Sequence, residues 1–441
     1  MFGSLRGNRA ELPLPYVDGV NRRTFLKTTG GLAVGAAAAR TLTACGTSES
    51  ATTGPQTSGT SAGGGALRPV KLGFISLTDC APLVIAKEKG IFAKYGLDVT
   101  LENGKSWPGV RDKLLNGEFD GAHALFSLPL AVATGVSKIE GDPEKAKSLR
   151  IAMGLNQNGQ AITLANDLSD AGYGDPKKAA EVIRSKGAKS FGITLPGGTH
   201  DTWMRYWMKA GGLDPKGDGL DIKAIPPPEM FNNLNQENVR GYCVGEPWNA
   251  RAVAKNKGFT TIATNDLWLD HPEKALVVNK TFATEKKDVL KDVMKAIIEA
   301  CQWLDDVNNV PETAKIIGVE KYVNATPEEI EGRLKGEYDF GGGIAKKNIG
   351  DARMRFFNGG GVTMPHKSHL MWFGAQYVRF GHLPTLPDVK KLADEIVLSD
   401  LYAEVASSLK VTVPDDMKPF TVTLDKATFD PAKPEEEANR K

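Results

Sequence analysis

The stretch Gly192-Ile193-Thr194-Leu195-Pro196-Gly197-Gly198-Thr199-His200 constrains the fold most tightly. A short apolar run reads as a strand, Pro-Gly-Gly makes a turn, and Thr199 stands as N-cap of a helix that opens His200-Asp201-Thr202-Trp203. Backbone amides at a helix start are unpaired and sit at the positive end of the helix dipole, and glycines let a ligand approach them closely. The stretch is therefore an anion site in outline, with His200 as an added side-chain donor. The plain alternative is an ordinary strand-to-helix turn.

Units of the same kind recur along the chain. Strands are expected at 70–77, 98–101, 119–123, 149–154, 161–164, 219–225, 239–245 and 275–278, with helices at 81–90, 107 onward, 127–134 and 176–185. Repeated βαβ units imply parallel-type sheets with helices on both faces. Beyond residue 274 helices dominate, and Val289, Val293, Ile297, Ala300, Cys301 and Leu304 share one face at 3.6 spacing. The triplets Gly341-Gly342-Gly343 and Gly359-Gly360-Gly361 lack the strand-then-helix setting of a phosphate loop and read as turns.

The first residues form a targeting device. Arg22-Arg23 precede a mild Ala/Gly-rich apolar run, and Leu42-Thr43-Ala44-Cys45 closes it. That order resembles a twin-arginine export signal ending in a lipoprotein box, with acylated Cys45 as the mature N-terminus. The apolar run is well short of the roughly 20 residues a membrane-spanning helix needs. Residues 46–68, rich in Ser, Thr and Gly, read as a flexible tether.

Formal net charge is +2, spread along the chain, so charge gives no reason to expect a nucleic-acid partner. Cys80, Cys243 and Cys301 are odd in number, far apart and in apolar settings, which suits buried free thiols rather than a disulfide framework. No Cys/His pattern has zinc-site spacing, and His366 with His369 is the nearest approach to a metal pair. No metal or cofactor is expected.

Six motifs then stand in a telling order: Leu77-Thr78-Asp79-Cys80-Ala81-Pro82-Leu83, the run 87–97, Asn158-Gly159-Gln160, Pro196 to His200, Gly245-Glu246-Pro247-Trp248-Asn249, and His271-Pro272-Glu273-Lys274-Ala275. In this the chain resembles the nitrate/bicarbonate-binding lipoproteins of ABC importers from about residue 70 to about 409. The resemblance implies an α/β two-lobed periplasmic-binding fold, type II-like, with a helical C-terminal region. Residues 1–45 would be signal peptide, 46–68 tether, 69–155 and 275–409 the first lobe, 156–274 the second, and 410–441 a loosely attached polar tail. It further implies a monomeric, extracytoplasmic, lipid-anchored receptor that delivers nitrate and nitrite to a membrane permease and its cytoplasmic ATPase.

The family's ligand contacts fall on Trp107, Gln160, His200, Gly245 and Lys274. An indole N–H, an amide, a ring N–H, a backbone N–H and one ammonium suit a planar monoanion with three acceptor oxygens. Bicarbonate carries a hydroxyl that must itself donate, and Lys274 and His200 offer it donors only, so nitrate is expected over bicarbonate. Sulfonate carriers share the fold and are the neighbouring alternative. An enzyme like the pyrimidine-forming protein of thiamine synthesis would work through His200, Asp201 or Glu246, but that family's clustered cysteines are missing, as is any Ser/His/Asp constellation. No catalytic residues are expected.

Overall fold

The computed structural model describes residues 66–441. Arg22, Arg23, Cys45 and nearly all of the expected tether lie outside the described residues. Ten strands carry the architecture: β1 (Arg68–Phe74), β2 (Leu97–Asn103), β3 (Gly121–Leu125), β4 (Leu149–Gln157), β5 (Gln160–Ala165), β6 (Ser190–Ile193), β7 (Asp221–Ala224), β8 (Gly241–Gly245), β9 (Gly258–Ala263) and β10 (Pro272–Asn279). They form two five-stranded sheets, ordered β2-β1-β3-β10-β4 and β7-β6-β8-β5-β9.

The expectation of parallel-type sheets needs correction, because both sheets are mixed. β1 pairs in parallel with β2 and β3, but β10 is antiparallel to β3 and β4. The second sheet repeats the arrangement, with β5 antiparallel to β8 and β9. The two reversed strands are the first strands after the chain changes sheet. It passes from β4 to β5 through Asn158-Gly159 and returns from β9 to β10 through residues 264–271. A crossover helix brings a chain back to lie parallel in its own sheet, whereas these crossings enter the neighbouring sheet without such a return.

The crossings are tied to each other. Asn158 Nδ2 donates to Asp270 Oδ1 at 3.1 Å, and the Asp270 amide donates back to Asn158 Oδ1 at 2.9 Å. Both residues hold positive φ, 56° and 61°, a region Asn and Asp enter more readily than most side chains.

Beyond β10 the helix Lys287–Leu304 packs against the helix Ala81–Glu88 and buries Val293, Ile297, Ala300, Cys301 and Leu304 in the core they share. This covers the face of the first sheet as the 3.6 periodicity foretold. None of the described helices is long and apolar enough to cross a membrane. Residues 410–441 are not loosely attached. Phe420 stacks on Trp268 at 4.6 Å, Val422 and Phe429 are buried, and Arg440 pairs with Asp425 and Glu437 beside the Tyr206 hydroxyl. Three well-spaced apolar and aromatic side chains, Phe420, Val422 and Phe429, outweigh the polar composition from which a loose tail was inferred.

Candidate functional site

The seam between the two sheets gathers the residues that sequence singled out. Trp107 is the first residue of the helix Trp107–Leu115, which Ser106 caps by accepting from the Gly109 amide. Gln160 opens β5 and lies in register with Gly245 at the end of β8. His200 sits in the first turn of the helix Thr199–Ala210, and Lys274 stands on β10 within the first sheet. All five are buried.

Direct contacts connect them. His200 Nε2 donates to Gln160 Oε1 at 2.9 Å, and Gln160 Nε2 donates to Asp79 Oδ2 at 3.1 Å. Lys274 Nζ donates to the same Asp79 oxygen and to Glu273 Oε1, each at 2.9 Å, and lies 5.8 Å from the Trp107 ring centre. At Gly245 a Cβ would stand 2.5 Å from Gln160 Oε1 and 3.0 Å from Leu77, so any side chain there would push the Gln160 amide out of its place.

Asp79 and Glu273 join the site as well, though neither was among the expected contacts and both lie inside the motifs at 77–83 and 271–275. Nothing in a linear pattern says that residues 194 positions apart will share one ammonium. The Asp79 oxygens accept from His123 Nε2, Gln160 and Lys274, and the Glu273 oxygens from Thr199, Lys274 and Trp203 Nε1. Every carboxylate oxygen of the cluster thus already accepts a protein hydrogen bond. Burial alone would push Asp79 up, but Lys274 and His123 outweigh it and hold the carboxyl well below its usual range. Burial would likewise lower Lys274, yet Asp79 and Glu273 keep its ammonium charged. Burial pushes His200 down to about 3 and His271 down to about 4, so both rings are neutral at pH 7.

Two expectations about the helix start are corrected. Thr199 is not the N-cap: Gly198 occupies that position, and the Thr199 hydroxyl donates to Glu273 instead. The glycine turn does not keep all its amides for a ligand either. The Gly197 amide, at φ 72°, donates to Asp201 Oδ2 at 2.8 Å, so a carboxylate of the helix's own first turn already meets the positive end of its dipole.

Three buried polar atoms around the cluster have no hydrogen-bond partner: Trp107 Nε1, His123 Nδ1 and the Thr78 hydroxyl. The indole nitrogen can only donate. The two lobes close over this ground. The Thr78 amide donates to the Glu246 carbonyl at 2.7 Å, Trp248 Nε1 to the Ser76 carbonyl at 3.0 Å, and the Ser127 hydroxyl to the Gly197 carbonyl at 2.9 Å. His366 and His369 lie with ring centres 4.6 Å apart, but no group of three or more His, Cys, Asp or Glu placed to hold a metal occurs among the described residues. Cys80, Cys243 and Cys301 are buried free thiols.

A family model described as NMT1-like matches residues 63–318. The chain belongs to the NMT1-like family. Its relatives there include the nitrate/nitrite binding protein NrtA of Synechococcus elongatus, 40% identical over 94% of this chain and 96% of its own length. NrtA of a Nostoc species is 38% identical over 95% and 98%. The bicarbonate-binding protein CmpA of Synechococcus elongatus is more distant, 29% identical over 90% of this chain and 91% of its own. Among solved structures, the periplasmic nitrate-binding protein NrtA from Synechocystis superposes with a TM-score of 0.79 at 34% identity, covering 85% of this chain and 98% of that one. The alkanesulfonate-binding protein SsuA from Xanthomonas axonopodis shares the fold, with a TM-score of 0.52 at 13% identity over 75% of this chain and 99% of that one. The fold is that of periplasmic binding proteins, two mixed sheets flanked by helices with a helical C-terminal region.

Proposed function

We propose that the protein captures nitrate, and nitrite with it, between its two lobes outside the cytoplasm and delivers it unaltered to an ABC-type permease driven by a cytoplasmic ATPase. The observation that carries this reading is the buried Trp107 indole N–H without a partner beside a buried ammonium. A buried donor left unpaired costs about 1–3 kcal/mol, which an acceptor-rich monoanion would recover. The cluster holds acceptors too, at Asp79 and Glu273, but each of their oxygens already accepts from the protein. A bicarbonate hydroxyl would have to compete for them or reach the lone pair of His123 Nδ1, whereas nitrate has no proton to place. Trp107, Gln160, His200, Gly245 and Lys274 are the proposed ligand contacts, with no catalytic role for any of them. The similarity to NrtA, stronger than that to CmpA, points the same way.

Isothermal titration with nitrate, nitrite, bicarbonate and sulfate tests the proposal. Tight binding of nitrate with weak or absent binding of bicarbonate is expected, and a preference for bicarbonate or sulfate would overturn it. Anchoring through Cys45 after twin-arginine export belongs to the same proposal, resting on the leader sequence. Cys45→Ala is expected to shift the protein from the membrane to the soluble fraction. Unchanged sedimentation with membranes would sink the lipoprotein assignment.

A further inference from the structure

The charges of the buried cluster do not favour an incoming anion. Asp79 and Glu273 contribute two negative charges and Lys274 one positive, and all three side chains are fully buried. The sum is minus one, and nitrate would make it minus two. A second uncompensated negative charge in a low-dielectric site would cost far more than the first, so something positive must enter with the anion.

The neighbours narrow the candidates. From the turn after β1 come Asp79 and Cys80, from β8 Cys243, and burial raises both thiols so that they stay uncharged. The helix Thr199–Ala210 brings His200 and Asp201, the latter already paired with Arg205 and His382. His271 precedes β10. Both ring nitrogens of His200 are engaged, with Thr194 and Gln160, and both of His271, with the Pro272 carbonyl and Thr264. His123 differs. Its Nε2 faces the Asp79 carboxylate at 2.7 Å, which places the ring N–H there, and its buried Nδ1 has no partner.

We propose that the site binds two solutes, the monoanion and one proton, and that His123 carries the proton. This rests on the anion-binding reading above. The proton comes from solvent and adds to the Nδ1 lone pair, giving an imidazolium whose Nε2–H remains on Asp79. The net charge of the cluster is then the same before and after binding. Burial lowers the free ring's proton affinity and Asp79 opposes that, so the imidazole is neutral before the anion arrives. His123 acts here as a charge-compensating and positioning residue, distinct from the five proposed anion contacts.

The test is nitrate calorimetry on the purified protein in two buffers of very different ionisation enthalpy. One proton taken up per nitrate is expected, with affinity falling about tenfold per pH unit as the pH is raised above about 7. Equal heats in both buffers, or an affinity flat with pH, would overturn the proposal while leaving nitrate binding intact. So would nitrate binding that takes up no proton but strengthens with added sodium or calcium. No nitrate heat at any pH would instead refute the anion reading itself. His123→Gln should bind more weakly and take up no proton, and full uptake in that variant would remove the assignment to His123. Should the variant fail to fold, the wild-type buffer comparison still decides.

Discussion

Trp107 and Lys274 occupy opposite positions in the energetics of the free protein. The indole N–H of Trp107 has no partner, so deleting it loses nothing until an anion is present. Trp107→Phe removes that N–H together with one ring of a fully buried core side chain, so the ligand-free protein is expected to lose about 1–3 kcal/mol of stability through the cavity alone. The variant's nitrate affinity should fall on the order of tenfold to a hundredfold, the worth of a hydrogen bond to a charged acceptor. Calorimetry and thermal melts on one preparation check both halves. Lys274 instead holds two buried carboxylates together. Lys274→Met would leave them facing each other uncompensated, at a cost of about 3–5 kcal/mol at neutral pH. Denaturant unfolding should show that loss, and the loss should shrink on acidification as a carboxylate takes up a proton.

Among the elements, the paired crossings are the two places where the chain passes between the sheets. Asn158 supplies both a left-handed backbone and two hydrogen bonds to Asp270, with a third from Nδ2 to the Arg353 carbonyl. Asn158→Gly keeps the backbone freedom and loses the bonds, while Asn158→Ala loses both. The alanine variant should be the less stable of the two by about 1 kcal/mol, measured in denaturant, and an equal loss would mean that φ is unstrained there. These crossings also mark where sequence stopped being legible. Strands and helices with clean local periodicity, such as Pro176–Ser185 and Lys287–Leu304, were readable from their own residues. β9 was not read, because its six residues are buried on both faces and show no alternation. The reversal of β5 and β10 depends on which sheet the chain enters next, and that is decided by contacts far away in sequence. The five residues carried over by resemblance do meet at the seam. Asp79, Glu273 and His123 were invisible as a group because buried charge pairing is a property of three dimensions.

For the molecule as a whole, the buried histidines link stability to pH. His200 and His271 titrate at about 3 and about 4 when folded, against an ordinary value near 6.5 when unfolded. Below that ordinary value the unfolded chain binds more protons than the folded one. Stability is therefore complete above about pH 6.5 and declines as pH falls toward 4, each histidine contributing up to tenfold per pH unit to the unfolding equilibrium. Melting temperatures recorded without nitrate should fall over that interval, and a midpoint flat between about pH 6.5 and 4.5 would contradict neutral burial of both rings. The closed seam has a different consequence, one of timing. With Trp107, Gln160, His200, Gly245 and Lys274 all shut away from solvent, a captured anion has no diffusive way out of the closed form. Its residence time is then the waiting time for the lobes to part, and the individual contacts enter it only through how firmly they hold the two sides together. A permease that pries the lobes open has no need to outbid the pocket for its cargo; it only has to shorten that wait.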